Sequence, residues 1–111
     1  MSIAIPDDWV RSLIAWSRQN PRVQSAYVYG SRVKGTQHPN SDLDFAVCLS
    51  VWPESAFTTW MFEAESWRDQ LAKLLPVSVH LEMAVTDDKV VWPAIQEHGI
   101  LIFDREISLS Q

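Results

Sequence analysis

Apolar and polar positions change their spacing several times along the chain, and each change predicts a new element. Trp9, Val10, Leu13, Ile14 and Trp16 recur at helical intervals until Asn20-Pro21 ends the run. Pro6, Asp7 and Asp8 in front of them give a fixed backbone and acids for the positive end of a helix dipole, so a helix starts there. Ser25 to Tyr29 is rich in aromatic and branched residues and stops at Gly30, which predicts a strand running into a turn. A second strand is expected over Asp42 to Leu49, with Leu43 and Phe45 toward the core. Between Pro53 and Leu75, Phe57, Trp60, Met61, Ala64, Trp67, Leu71, Leu74 and Leu75 form a stripe at spacings of three and four, the pattern of a long helix. From Val77 to Ala84, Val77, Val79, Leu81 and Met83 alternate with Ser78, His80 and Glu82, giving a strand with one apolar and one polar face. A helical segment from about Thr86 to His98, interrupted or restarted at Pro93 and closed by Gly99, leads to a last short strand at Ile100 to Phe103.

Helices interleaved with about four strands predict an α/β (α+β) domain of two layers, a mixed sheet with its helices packed mainly on one face. A chain of 111 residues suits one such domain over 1–111. With 47% hydrophobic and 21% charged residues it carries enough apolar material to fold, unlike a disordered chain. No apolar run approaches the roughly 20 residues of a membrane span, and Met1 to Pro6 lacks the pattern of a signal peptide, so a cytoplasmic protein is expected. A net charge of −5 argues against broad binding to nucleic-acid backbones, which needs a basic surface. Cys48, the one cysteine, lies in the apolar run FAVCL and reads as a buried thiol with no chemistry. The six Trp read as large rings for the core rather than as an exposed patch for a partner.

The stretch YGSRVKGTQHPNSDLD holds the candidate chemistry. A strand that ends at Tyr29, turns at Gly30-Ser31 and enters a short helix through Arg32, Val33 and Lys34 exposes backbone N–H groups beside the Ser31 hydroxyl. Such a turn suits a phosphate, to which Arg32 and Lys34 could add charge; the plainer reading is a simple turn. Asp42 and Asp44 project from the same face of a strand, about 7 Å apart at their Cα atoms. Two carboxylates so placed repel each other unless a cation lies between them, and Mg²⁺ takes one or two carboxylates together with water and phosphate oxygens. His38, in the loop TQHPNS, reads as a solvated residue, and His98 as a cation near a helix C-terminus.

Gly30-Ser31, ten residues, then Asp42-Leu43-Asp44 resembles the signature of the polymerase-beta-like nucleotidyltransferase superfamily, and the short chain is similar to its minimal nucleotidyltransferase branch. YGSRVKG, SDLDFAV and EHGILIF carry the likeness over nearly the whole length. The resemblance implies a nucleoside triphosphate, ATP by expectation, bound with Mg²⁺ or Mn²⁺. Gly30, Ser31, Arg32, Lys34 and Ser41 would hold the nucleotide, and Asp42 and Asp44 the metal. A nucleotidyl group would pass to an acceptor hydroxyl with loss of pyrophosphate. It also implies a small helical partner of the HEPN type in a toxin–antitoxin module; a homo-oligomer stays open. The resemblance also implies a third carboxylate, which members that catalyse usually carry on the strand after the long helix, and the apolar pattern of that strand sets His80 at the matching position. Glu82, two residues on, could supply it as metal ligand or base, either by its longer reach or because the register is displaced by two. The rival reading is a binding module that keeps the fold and neutralises a partner by contact, and a third is nucleotidyl transfer to a small molecule such as an antibiotic.

Overall fold

The computed structural model describes residues 5–38, 41–50, 53–85 and 89–106. Along them run α1 (Asp7–Gln19), β1 (Val23–Tyr29), α2 (Ser31–Lys34), β2 (Leu43–Leu49), α3 (Pro53–Ala72), β3 (Val79–Met83), α4 (Val91–His98) and β4 (Ile100–Asp104). The strands form one mixed sheet in the order β3-β2-β1-β4. β1 is antiparallel to both β2 and β4, and β2 is parallel to β3. A parallel neighbour needs a crossover, and α3 with its flanking turns provides it.

The two interior strands are apolar on both faces. Leu43, Phe45 and Val47 of β2 alternate with Ala46 and Cys48 across the sheet, as the sequence pattern predicts. A bulge between Val23 and Ser25 changes the parity of β1, so that Val23 shares the larger core with Ala26 and Val28 while Tyr27 and Tyr29 face the other way. On the first face, Leu13 and Trp16 of α1 and Trp67 and Leu71 of α3 pack on Val28, Phe45 and Val47. Each fully buried leucine there contributes about 1.5–3 kcal/mol relative to exposure. α4 covers the second face, laying Ile95 and Trp92 on Tyr29 and on Ala46 and Ala84. Two longer helices on one face and one short helix on the other match the expected architecture.

Trp16 meets Phe45 and Trp67 edge to face at 5.9 Å each, and its indole N–H donates to Gln70 Oε1 at 2.8 Å. Trp60 meets Trp67 at 6.2 Å and Tyr27 meets Trp92 at 6.0 Å. The described Trp residues therefore serve the packing; Trp52 lies outside them.

Three elements depart from the sequence pattern. In α3 the buried arc runs through Ala56, Ala64, Trp67 and Leu71, so Phe57 and Met61, expected in the stripe, are 62% and 81% exposed. Phe57 follows Ala56 and Met61 follows the partly buried Trp60, each turned about 100° away from its inward-facing neighbour. Strand β3 is shorter than Val77 to Ala84, and α4 begins only at Val91. Pro93 sits in the first turn of α4, where its missing N–H breaks no helical bond. The expected start at Thr86 lies outside the described residues. Gly99 closes α4 in extended backbone, φ −69°, rather than in the left-handed cap of many helix ends. Its small size answers to crowding instead, since a Cβ would lie 2.7 Å from the Ile95 Cα.

Arg105, directly after β4, ties this sheet edge to α1. Its guanidinium donates to the carbonyls of Val23 at 2.9 Å, Ser17 at 2.9 Å and Asn20 at 2.8 Å, and it lies over the Phe103 ring at 5.2 Å. At the end of α1 the Ser17 and Asn20 carbonyls, which also accept the Asn20 and Val23 N–H groups, thereby gain a charged second donor. None of the helices among the described residues is long and apolar enough to cross a membrane.

Candidate functional site

β1 delivers the chain to Gly30, which bends it sharply at φ 81° and ψ −160°. The Gly30 carbonyl then accepts the Val33 and Lys34 N–H groups at 3.1 and 3.0 Å, which starts α2. The N–H groups of Ser31 and Arg32, in the first turn, precede any helical acceptor. Gly35, at φ 80°, ends α2 and donates its N–H to the Ser31 carbonyl. Lys34 is exposed beside it.

Register explains how Asp44 reaches this turn. Tyr29 pairs with Asp44 across β1 and β2, so the Asp44 carboxylate lies directly over the Gly30 α-carbon. A Cβ at Gly30 would sit 1.9 Å from Asp44 Oδ2, so only glycine leaves room for the carboxylate. Asp42, one residue ahead of β2, is exposed. Burial pushes the Asp44 carboxyl above its ordinary pKa of 3.8; the Asp42 charge adds to the rise, and the His80 and His98 rings oppose it.

The parallel pairing of β2 with β3 sets His80 opposite Asp44 and Glu82 opposite Ala46. The histidine thus holds the position beside Asp44, and a displaced register that would bring Glu82 there is not what the sheet adopts. His80 Nδ1 lies 3.2 Å from Asp44 Oδ1 and its Nε2 lies 3.0 Å from Glu82 Oε2. Glu82 connects with the aspartates through this ring, not by facing them.

Other expected nucleotide residues take structural positions. The Arg32 side chain is buried, its guanidinium donating twice to the Ser41 carbonyl, at 3.2 and 2.9 Å, and stacking over Trp9 at 5.5 Å. In this form it braces the two halves of the motif instead of offering charge at the surface. Ser41 accepts the His38 N–H on its hydroxyl and donates its own N–H to the His38 carbonyl, both at 2.9 Å, closing the loop ahead of Asp42. His38 is exposed, and residues 39–40 of that loop lie outside the described residues. Cys48 is partly buried, and burial pushes its thiol upward, away from the reactive thiolate.

His98 stands at the C-terminal end of α4, as its place before Gly99 suggests, but it has a partner that the sequence did not announce. There its Nε2 accepts the Gly30 N–H at 2.9 Å, which requires a lone pair on that nitrogen. The signal was present in the antiparallel pairing of β4 with β1: Val28 faces Ile100, and two further steps along that register bring Gly30 to His98. Pairing over 68 positions cannot be read before the strand order is known.

Among the described residues no group of three or more acidic, histidine or cysteine side chains is gathered for a metal ion. Two carboxylates are what the site offers. That set fits magnesium or manganese, hard ions that accept one or two carboxylates and complete their shell with water and phosphate oxygens. Burial is what raises the Asp44 carboxyl, and a cation held beside it would offset that cost of burying the charge.

A short helix after a glycine turn and a carboxylate strand paired beside it define a nucleotidyltransferase domain. The chain belongs to the family described as Polymerase beta, Nucleotidyltransferase, whose model matches residues 11–108. No curated protein matches it in sequence. Among solved structures it is similar to a chain of a toxin–antitoxin crystallised with AMP-PNP, at 25% identity and a TM-score of 0.65 over 90% of this chain and 78% of that one. It is also similar to a chain of the MntA–HepT toxin–antitoxin, at 21% identity and a TM-score of 0.60 over 90% and 74%. A third likeness is to a chain of the complex of tri-AMPylated Shewanella oneidensis HEPN toxin with MNT antitoxin, at 18% identity and a TM-score of 0.58 over 91% and 76%. The latter two likenesses speak for the fold alone.

Proposed function

We propose that this chain is a single minimal nucleotidyltransferase domain that binds ATP with Mg²⁺ and transfers AMP to a hydroxyl on a partner protein of a toxin–antitoxin pair. The observation that carries the reading is the contact of Asp44 with Gly30, a carboxylate packed on the bare α-carbon of a phosphate-type turn. The likeness to a toxin–antitoxin chain crystallised with AMP-PNP supports both the nucleotide and the partner. A small helical HEPN-type toxin is the partner of choice, and the cytoplasm the compartment in which ATP and such a toxin meet.

In this reading Asp42 and Asp44 hold the metal, and the Ser31 hydroxyl with the Ser31 and Arg32 N–H groups grips the phosphates. Magnesium, when bound, supplies the positive charge that offsets the triphosphate. Gly30 keeps the turn close to the acids, Arg32 fixes the loop that carries Asp42, and Lys34 adds surface charge beside the nucleotide. Glu82 orients His80, and His80 in turn orients Asp44. Positioning of this kind is a large part of what phosphoryl-type transfer asks of a protein. With labelled ATP and the partner, Asp42→Asn and Asp44→Asn are expected to lower AMP transfer about 100-fold or more. Unchanged transfer by both variants would reject the site.

A second reading rests on His80. With an imidazole opposite Asp44 and two carboxylates as the metal set, the chain would bind the nucleotide and partner without turnover. Binding of Mg-ATP with no transfer, together with partner inhibition that survives loss of both aspartates, would select this binding module over the enzyme.

A further inference from the structure

Gly30 is fixed at both ends of its peptide. Its carbonyl is held locally, by the first turn of α2. Its N–H is held from a distance, by the Nε2 of His98 at the end of α4. The ring is itself firmly placed: Gly99 packs against the Ile95 backbone, its N–H donates to the Ile95 carbonyl at 2.7 Å, and Ile95 is buried under the sheet. His98 Nδ1 is buried and makes no hydrogen bond among the described residues. The one polar contact of the ring among them is therefore the Gly30 amide.

We propose that His98 is a positioning residue of the nucleotide site. By accepting the Gly30 N–H it holds that amide away from the ligand and locks the peptide plane before the turn. The phosphates are then met by the Ser31 and Arg32 N–H groups and the Ser31 hydroxyl in one orientation. Without the acceptor the peptide ahead of Gly30 loses this distant restraint, and a residue with no side chain resists rotation little, so the turn would sample more directions and binding would have to order it. The inference rests on the nucleotide reading above but concerns a residue outside the glycine-serine and aspartate motifs.

The test is titration of the full chain with Mg-ATP by calorimetry, beside amide exchange at Gly30. His98→Ala is expected to weaken binding about tenfold, the effect of one hydrogen bond with an amide left unpaired. His98→Gln, whose Oε1 reaches the place of Nε2, is expected to bind within about threefold of the parent and to keep the Gly30 amide protected. His98→Asn, equally polar but one methylene too short, is expected to behave like alanine in both measurements. A role limited to polarity at the helix end would leave Asn and Gln alike. Parental affinity in His98→Ala, or a glutamine variant as weak as alanine, would overturn the proposal while leaving the nucleotide reading standing. Parent protein that binds no Mg-ATP would overturn both.

Discussion

Gly30 adopts φ 81° and ψ −160°, a region that only glycine enters without strain. Gly35 is left-handed as well, at φ 80°, yet nothing lies within 4 Å of where its Cβ would be. Alanine at either site strains the backbone, but only at Gly30 does the new methyl meet the Asp44 carboxylate. Gly30→Ala is expected to lower stability by about 1–3 kcal/mol and to weaken Mg-ATP binding. Gly35→Ala is expected to cost about 1–2 kcal/mol and leave the affinity unchanged. Urea melts paired with nucleotide titrations check both, and equal affinities in the two variants would contradict the role given to Asp44. At this scale the neighbourhood of Gly30 and Asp44 is legible in the sequence, because the spacing along two paired strands brings those two residues together. Arg32 and His98 are not, because whether a polar side chain turns inward depends on the elements it meets there, Trp9 and Ser41 for one and Gly30 for the other.

Elements were legible where periodicity is strong. The order of helices and strands follows from it, and the alternation in β2 places Leu43 and Phe45 in the core, both fully buried. The face of α3 was less so. Its sequence carries more large apolar residues than one face can bury, and a stripe that wide leaves the orientation to the sheet. Ala56 and Ala64 line the buried side while Phe57, Met61 and Phe62 stand in solvent. Leu71→Ala should therefore cost about 2–5 kcal/mol, by transfer and cavity terms together. Met61→Ala should change stability by less than about 0.5 kcal/mol. Chemical denaturation of the two variants separates them, and similar losses would mean that α3 is rotated from the orientation described here.

For the whole molecule, stability depends on pH through the acid that the sheet partly buries. The folded Asp44 holds its proton more tightly than the unfolded chain does. Between the ordinary value of 3.8 and the raised folded value the native state binds more protons, so stability falls as pH climbs through that window. Above it the charged carboxylate weighs against folding. Asp44→Asn, lacking this titration, is expected to melt at a higher temperature than the parent at neutral pH without divalent ions, and the gap should close below pH 3.8. Thermal scans across pH check it; an asparagine variant that melts no higher at neutral pH would show that burial at this site carries no such cost. Fold class and motif were legible at this scale, whereas the strand order, with β1 between β2 and β4, needed the tertiary pairing.

The antiparallel pair β1 and β2, with the short helix between them, carries the glycine turn and both aspartates on one continuous piece of chain. His80 and His98 come to it from remote segments. The acids are thus displayed by a single ribbon, and the imidazoles that touch it are brought there by the rest of the fold.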